Sequence, residues 1–99
     1  MRSARAVPAS SFADRVAEVI RAIPKGQTLA YGQVALLAGR PGGARAVARA
    51  LHAVRDVPWW RVTRADGTLA PQVEAEQARR LRREGVRFLG RKVARPDQG

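Results

Sequence analysis

The side chains here that could do chemistry are arginines, two tryptophans and a few acids, and no cysteine stands among them. Thiolate nucleophiles, disulfide frameworks and Cys-ligated zinc or iron–sulfur centres are therefore excluded. A single histidine, His52, is too little for a His-rich metal site or a triad with several candidates, so no metal, cofactor or catalytic set is expected. What remains is polyanion chemistry. Arg45, Arg49 and His52 fall at i, i+4 and i+7, on one face of a helix. Arg45 follows Gly42-Gly43 at a helix start. Its planar guanidinium can enter a duplex and stack where a base has left, or simply contact a phosphate; spacing leaves both open. Trp59-Trp60 offers large apolar faces, as core or as pocket wall.

The elements that must position these residues can be read from the pattern. The chain has 99 residues and a net charge of +11, with 19 Lys+Arg against 8 Asp+Glu. That length allows one domain, and about 65% of the unfolded surface can be buried without staples. From Val19 to Arg55 there is no acid, while Arg21, Lys25, Arg40, Arg45, Arg49 and Arg55 are positive. A one-signed segment points to phosphates, where an evenly basic surface would point only to solubility. No apolar run reaches the ~18 residues of a membrane span, and no apolar stretch follows the basic Met1–Arg5. The expectation is a cytoplasmic protein off the membrane.

Residues 1–9 read as a flexible arm. Ser11 and Asp14 resemble a capping box ahead of a helix carrying Phe12, Val16, Val19, Ile20 and Ile23 at helical spacing, which Pro24 and Gly26 stop. A second helix is predicted over about Tyr31 to Ala38, capped by Gly39, and a third over about Ala44 to Ala53. Two short helices across a Gly-containing turn, the second with a basic stripe, make a helix-turn-helix. Trp60 and Val62 alternate with Arg61 and Thr63 as a strand. Asp66-Gly67 then predicts a hairpin returning through Thr68-Leu69-Ala70, a wing. A last helix, about Gln72 to Glu84, points Val73, Ala78 and Leu81 inward and is capped by Gly85. Val86 to Phe88 read as a short strand, and the polar tail is expected to be disordered (91–99). The fold class is thus mainly α with a small β wing, one winged helix-turn-helix domain over 10–90.

Several motifs follow one another in order: Ile23-Pro24-Lys25-Gly26-Gln27-Thr28, Tyr31-Gly32-Gln33-Val34-Ala35, Ala38-Gly39, Ala44-Arg45-Ala46-Val47, Pro58-Trp59-Trp60-Arg61-Val62, Asp66-Gly67 and Glu84-Gly85. The series resembles the C-terminal DNA-binding domain of O6-alkylguanine-DNA alkyltransferases over about residues 10 to 90. Those enzymes carry Pro-Cys-His-Arg-Val, whose thiolate accepts the alkyl group. Trp59 stands at the Cys position and Trp60 at the His position, so the chain resembles the alkyltransferase-like proteins, in which Trp commonly replaces that Cys.

The resemblance implies a protein that binds O6-alkylguanine in double-stranded DNA, flips the lesion and passes it to nucleotide excision repair proteins without reversing it. It places Tyr31 against the phosphate beside the target, with Arg45 as the inserted finger. Gly43, Ala44 and Arg49 would lie along the DNA. Trp59 walls the lesion pocket, with Arg61 and Val62 supporting it. Glu84 matches the acid of the family's proton relay and, with Trp60, is its remnant, stranded because both its reactive partners are tryptophans here. Most alkyltransferase-like proteins keep the His that is Trp60 here, and the family's Asn and Tyr-Ser contacts to the base find no match.

The residues agree on the chemistry: the Trp59 indole N–H is a donor and no thiolate, so no alkyl transfer is expected. Trp59 is expected to face the pocket and Trp60 the core. A winged-helix transcriptional regulator or architectural binder is the competing reading. Against it, the third helix lacks base-reading amides, and no dimer element is evident, so a monomer is expected.

Overall fold

The computed structural model describes residues 11–94. The arm expected over 1–9 and the last five residues, 95–99, lie outside the described residues.

The first helix, α1 (Phe12–Arg21), starts because Ser11 and Asp14 close a capping box. Ser11 Oγ accepts from the Asp14 N–H at 3.1 Å, and the Asp14 carboxylate accepts from the Ser11 N–H at 3.3 Å. Val16, Ala17 and Ile20 then turn one face inward, with Val16 and Ile20 wholly buried. Each such aliphatic side chain contributes about 1.5–3 kcal/mol by leaving water. The helix ends at Ala22, and a left-handed Gly26 (φ 87°) redirects the chain.

Strand β1 (Leu29–Ala30) leads directly into α2 (Tyr31–Leu37), where Gln33 Oε1 accepts from the Ala30 N–H at 2.7 Å. Gly39 (φ 91°) ends it as expected. Helix α3 (Ala44–Ala50) stops three residues before the expected Ala53. The His52 and Ala53 amides bond three residues back, to Arg49 and Ala50, so the last turn tightens. Leu51 and Val54 then pack down on the core.

The next segment corrects the sequence reading. Trp59–Arg61 forms one 3₁₀ turn where an alternating strand was expected, and β2 is only Val62–Thr63. Strand β2 pairs in parallel with β1, Leu29 opposite Val62 and Ala30 opposite Thr63. The two helices between them serve as the crossover that parallel pairing requires. The Asp66-Gly67 turn does form: the Arg64 N–H reaches the Thr68 carbonyl at 3.0 Å, and Asp66 accepts from the Thr68 amide and hydroxyl. Its return strand does not. Leu69 is drawn into the core instead, and the Gly67 carbonyl accepts from Val93 at 2.9 Å.

The hairpin lies further on, as β3 (Phe88–Leu89) paired antiparallel with β4 (Lys92–Val93). The tail expected to be disordered from residue 91 therefore opens with an ordered strand. Arg91 fastens the hairpin to the last helix, α4 (Glu74–Arg83), through both oxygens of Glu74 at 3.1 and 2.7 Å. Along α4 the buried side chains are Gln77, Ala78 and Leu81; Val73, expected to point inward, caps the helix start and is 40% exposed. The four α-helices and short strands form a small winged helical domain, with no helix among the described residues long and apolar enough to cross a membrane.

Candidate nucleic-acid interface

The first cluster of the core holds α1, α2 and α3 together. Val47 of α3 is fully buried against it, which fixes the rotation of the helix and turns Arg45 and Arg49 out to solvent; His52, in the tightened turn past the end of α3, is exposed as well. Gly43 and Ala44 are half-buried at the start of α3. Gly43 is there for space: a Cβ would sit 2.9 Å from the Arg40 carbonyl oxygen and 3.0 Å from the Arg40 side chain. Gly43→Ala should therefore cost about 1–3 kcal/mol, read as a lower urea midpoint with unchanged slope. Tyr31, half-buried at the start of α2, has its phenol pKa raised by burial, an effect that the nearby Arg64 opposes. It is a neutral hydroxyl at physiological pH, able to donate to a phosphate oxygen.

The tryptophans sit between the two core clusters. Trp59 packs on the first and Trp60 on the second, formed by Leu69, Ala78, Leu81 and Val86. Their rings meet edge to face, with centroids 5.9 Å apart at 86°. Both residues are partly buried. Val62, expected beside Trp59 in the pocket, is 1% exposed within the first cluster; it packs the core and lines no surface.

Glu84, whose Cys and His relay partners are replaced by tryptophans, is held at the end of α4 by other groups. Its carboxylate accepts from Trp60 Nε1 at 2.9 Å, from Arg61 Nε and Nη2 at 3.0 and 2.7 Å, and from the Gly26 amide at 3.4 Å. Arg61 also reaches the Ile23 carbonyl at 2.9 Å. The Arg61 hydrogen bonds, helped by Trp60 and Gly26, outweigh partial burial and hold the Glu84 pKa at about 2. A carboxylate so pinned is a structural anion and a poor proton relay. Arg61 is correspondingly committed, with its side chain only 15% exposed.

Three further residues join this region. The Gln77 side chain donates to the Trp60 and Val62 carbonyls at 3.0 and 2.8 Å, setting the 3₁₀ turn from within. Gln77, Leu81 and Glu84 recur at i, i+4 and i+7, a spacing that marks Gln77 as inward-facing. The Arg80 guanidinium stacks over both indoles. Arg64 stands beside Tyr31 and also lines an open groove of about 930 Å³ with Gln33, Gly67, Arg87 and Phe88. Trp59 does not line this groove. No cluster of three or more His, Asp or Glu that could hold a metal occurs among the described residues.

Comparison with known proteins places this arrangement. Over 86 residues the chain is 38% identical to the Escherichia coli DNA base-flipping protein, covering 81% of this chain and 66% of that one. It is 42% identical over 83 residues to the methylated-DNA–protein-cysteine methyltransferase of Salmonella typhimurium, covering 79% of this chain and 48% of the enzyme. The chain thus spans slightly under two thirds of the first relative and about half of the second. Schizosaccharomyces pombe Atl1, solved in complex with damaged DNA containing O6-carboxymethylguanine, superposes with a TM-score of 0.72 at 33% identity, over 79% of each chain. Residues 11–86 match the model of the 6-O-methylguanine DNA methyltransferase DNA-binding domain. That span holds the helix pair, the tryptophan turn and the pinned acid, and the chain belongs to this DNA-binding-domain family.

Proposed function

We propose that this protein recognises O6-alkylguanine in duplex DNA by rotating the damaged nucleotide out of the stack, transfers no alkyl group, and flags the site for nucleotide excision repair. The observation that carries the reading is the solvent-facing Arg45–Arg49 pair on α3, set opposite the buried Val47 in a chain without cysteine. Arg49 meets phosphates, Gly43 and Ala44 let the backbone approach, Tyr31 presses on the phosphate beside the target, and Arg45 fills the vacated stack. The partly buried Trp59 receives the alkylated base against its accessible face. Flipping costs a few kcal/mol, and less for a weakly paired damaged base, so selectivity needs no bond to be made. Neither candidate alkyl acceptor replaces the thiolate: Glu84 is locked to Arg61, and His52 is exposed in the turn after α3, seven residues before Trp59.

Fluorescence anisotropy on matched duplexes, guanine against O6-methylguanine at one salt concentration, tests this; equal affinities would overturn the damage-specific reading. Arg45→Ala should weaken lesion binding by more than one lost phosphate contact, which alone would change the salt slope by about 0.9. The β3–β4 hairpin and the basic α3 favour one other reading, a winged-helix regulator. Selection from random duplexes yielding a defined motif would support that reading.

A further inference from the structure

The arginines around the tryptophan pair are not equivalent. Arg61 is spent on Glu84 and the Ile23 carbonyl. Arg80 lies across the pair, its guanidinium carbon 4.7 Å from the Trp60 ring centre and 5.9 Å from that of Trp59. Its Nε and Nη2 both donate to one oxygen of Glu76, at 3.0 and 2.8 Å. These side chains are 40% and 47% exposed, so the pair is weak and open to exchange. Arg79 also approaches Glu76, at 3.9 Å, which leaves the local charge positive. Five N–H donors on Arg80 allow a second carboxylate to join Glu76 or displace it.

We propose that Arg80 makes the Trp59 surface selective for guanines whose O6 substituent carries a negative charge, such as carboxymethyl, over neutral substituents of similar size. The inference rests on the lesion-binding reading above and names the substrate class it favours. Trp59 reads apolar area, and the negative face of its ring offers a carboxylate no attraction of its own. A carboxylate laid along its ring gains charge-assisted hydrogen bonds from a guanidinium already held there by two indoles and by α4. A propyl group gains only burial.

The test is anisotropy with the full chain and three duplexes, carrying guanine, O6-propylguanine or O6-carboxymethylguanine, at one ionic strength. The readout is the ratio of carboxymethyl to propyl affinity. Arg80→Gln should lower it about tenfold, the scale of one partly exposed charge-assisted hydrogen bond. Arg80→Lys should restore part of it, Glu76→Gln should raise it by releasing the guanidinium, and Arg79→Gln, which removes a charge that does not lie over the rings, should lower it much less than Arg80→Gln does. A ratio unmoved by Arg80→Gln, with both lesions still bound more tightly than guanine, overturns the Arg80 assignment and leaves lesion recognition standing. If neither lesion is preferred to guanine, both fall together.

Discussion

Glu84→Ala should destabilise the fold by about 3 kcal/mol at neutral pH, seen as a drop in urea midpoint, with Glu84→Gln losing less. The alanine variant leaves the Arg61 guanidinium, 15% exposed, without its counter-charge and the Trp60 indole N–H without its acceptor. Breaking a buried pair in this way costs about 3–5 kcal/mol, and residual solvent contact puts this one at the low end. The pH dependence follows the same bonds. Folding lowers the Glu84 pKa from 4.5 to about 2, so its stabilisation is complete above about 4.5 and is lost as pH falls towards 2. Asp66 and Glu74 also have lowered pKa values, from Thr68 and Arg91 respectively. The stability difference between wild type and Glu84→Gln isolates the Glu84 contribution: it should shrink between pH 4.5 and 2 and stay flat from pH 5 to 8. A difference that does not shrink would show that the carboxylate charge is not what holds Trp60 and Arg61.

What could be read in advance was what is local. The capping box of Ser11 and Asp14, the 3.6-residue period of α1 and the glycine stops at Gly39 and Gly85 each depend on neighbours within one turn, and the structure follows them. The exposure of Arg45 and Arg49 came from the same period, once Val47 was placed inside. Pairings across the chain were not legible. β1 meets β2 across more than thirty residues, and Glu84 finds Trp60 and Arg61 at separations of 24 and 23. The Asp66-Gly67 signal described a real turn but could not say that Leu69 would be worth more in the core than in a strand. The true hairpin turns at Gly90-Arg91, where Gly90 takes a positive φ of 63°; glycine at the first loop position is a weaker turn signal than Asp66-Gly67. On α4 hydrophobicity favoured Val73, whereas the buried carbonyls of Trp60 and Val62 demanded the amide of Gln77.

Trp59→Ala should weaken binding to an O6-methylguanine duplex roughly 30- to 150-fold while leaving the guanine duplex nearly unchanged. Stacking a base on an aromatic ring is worth about 1–3 kcal/mol, and burying the methyl group adds about 0.8 kcal/mol. Losing most of both gives about 2–3 kcal/mol, which is that range in Kd. In the proposed function the undamaged duplex is held by Arg49 and its basic neighbours, which the substitution does not touch, so its affinity and salt slope should persist. The substitution also removes half-buried area from the first core cluster, at about 2 kcal/mol of stability. Binding is therefore measured well below the variant's melting transition, with Trp59→Phe as the partner that keeps a stacking ring. Trp59→Phe should retain most of the lesion preference. Equal weakening of both duplexes by Trp59→Ala would mean the ring supports the first core cluster, and the damaged base would have to be sought elsewhere. The groove beside Arg64 and Phe88 is then the next place to look, because it opens near Tyr31 and does not depend on Trp59.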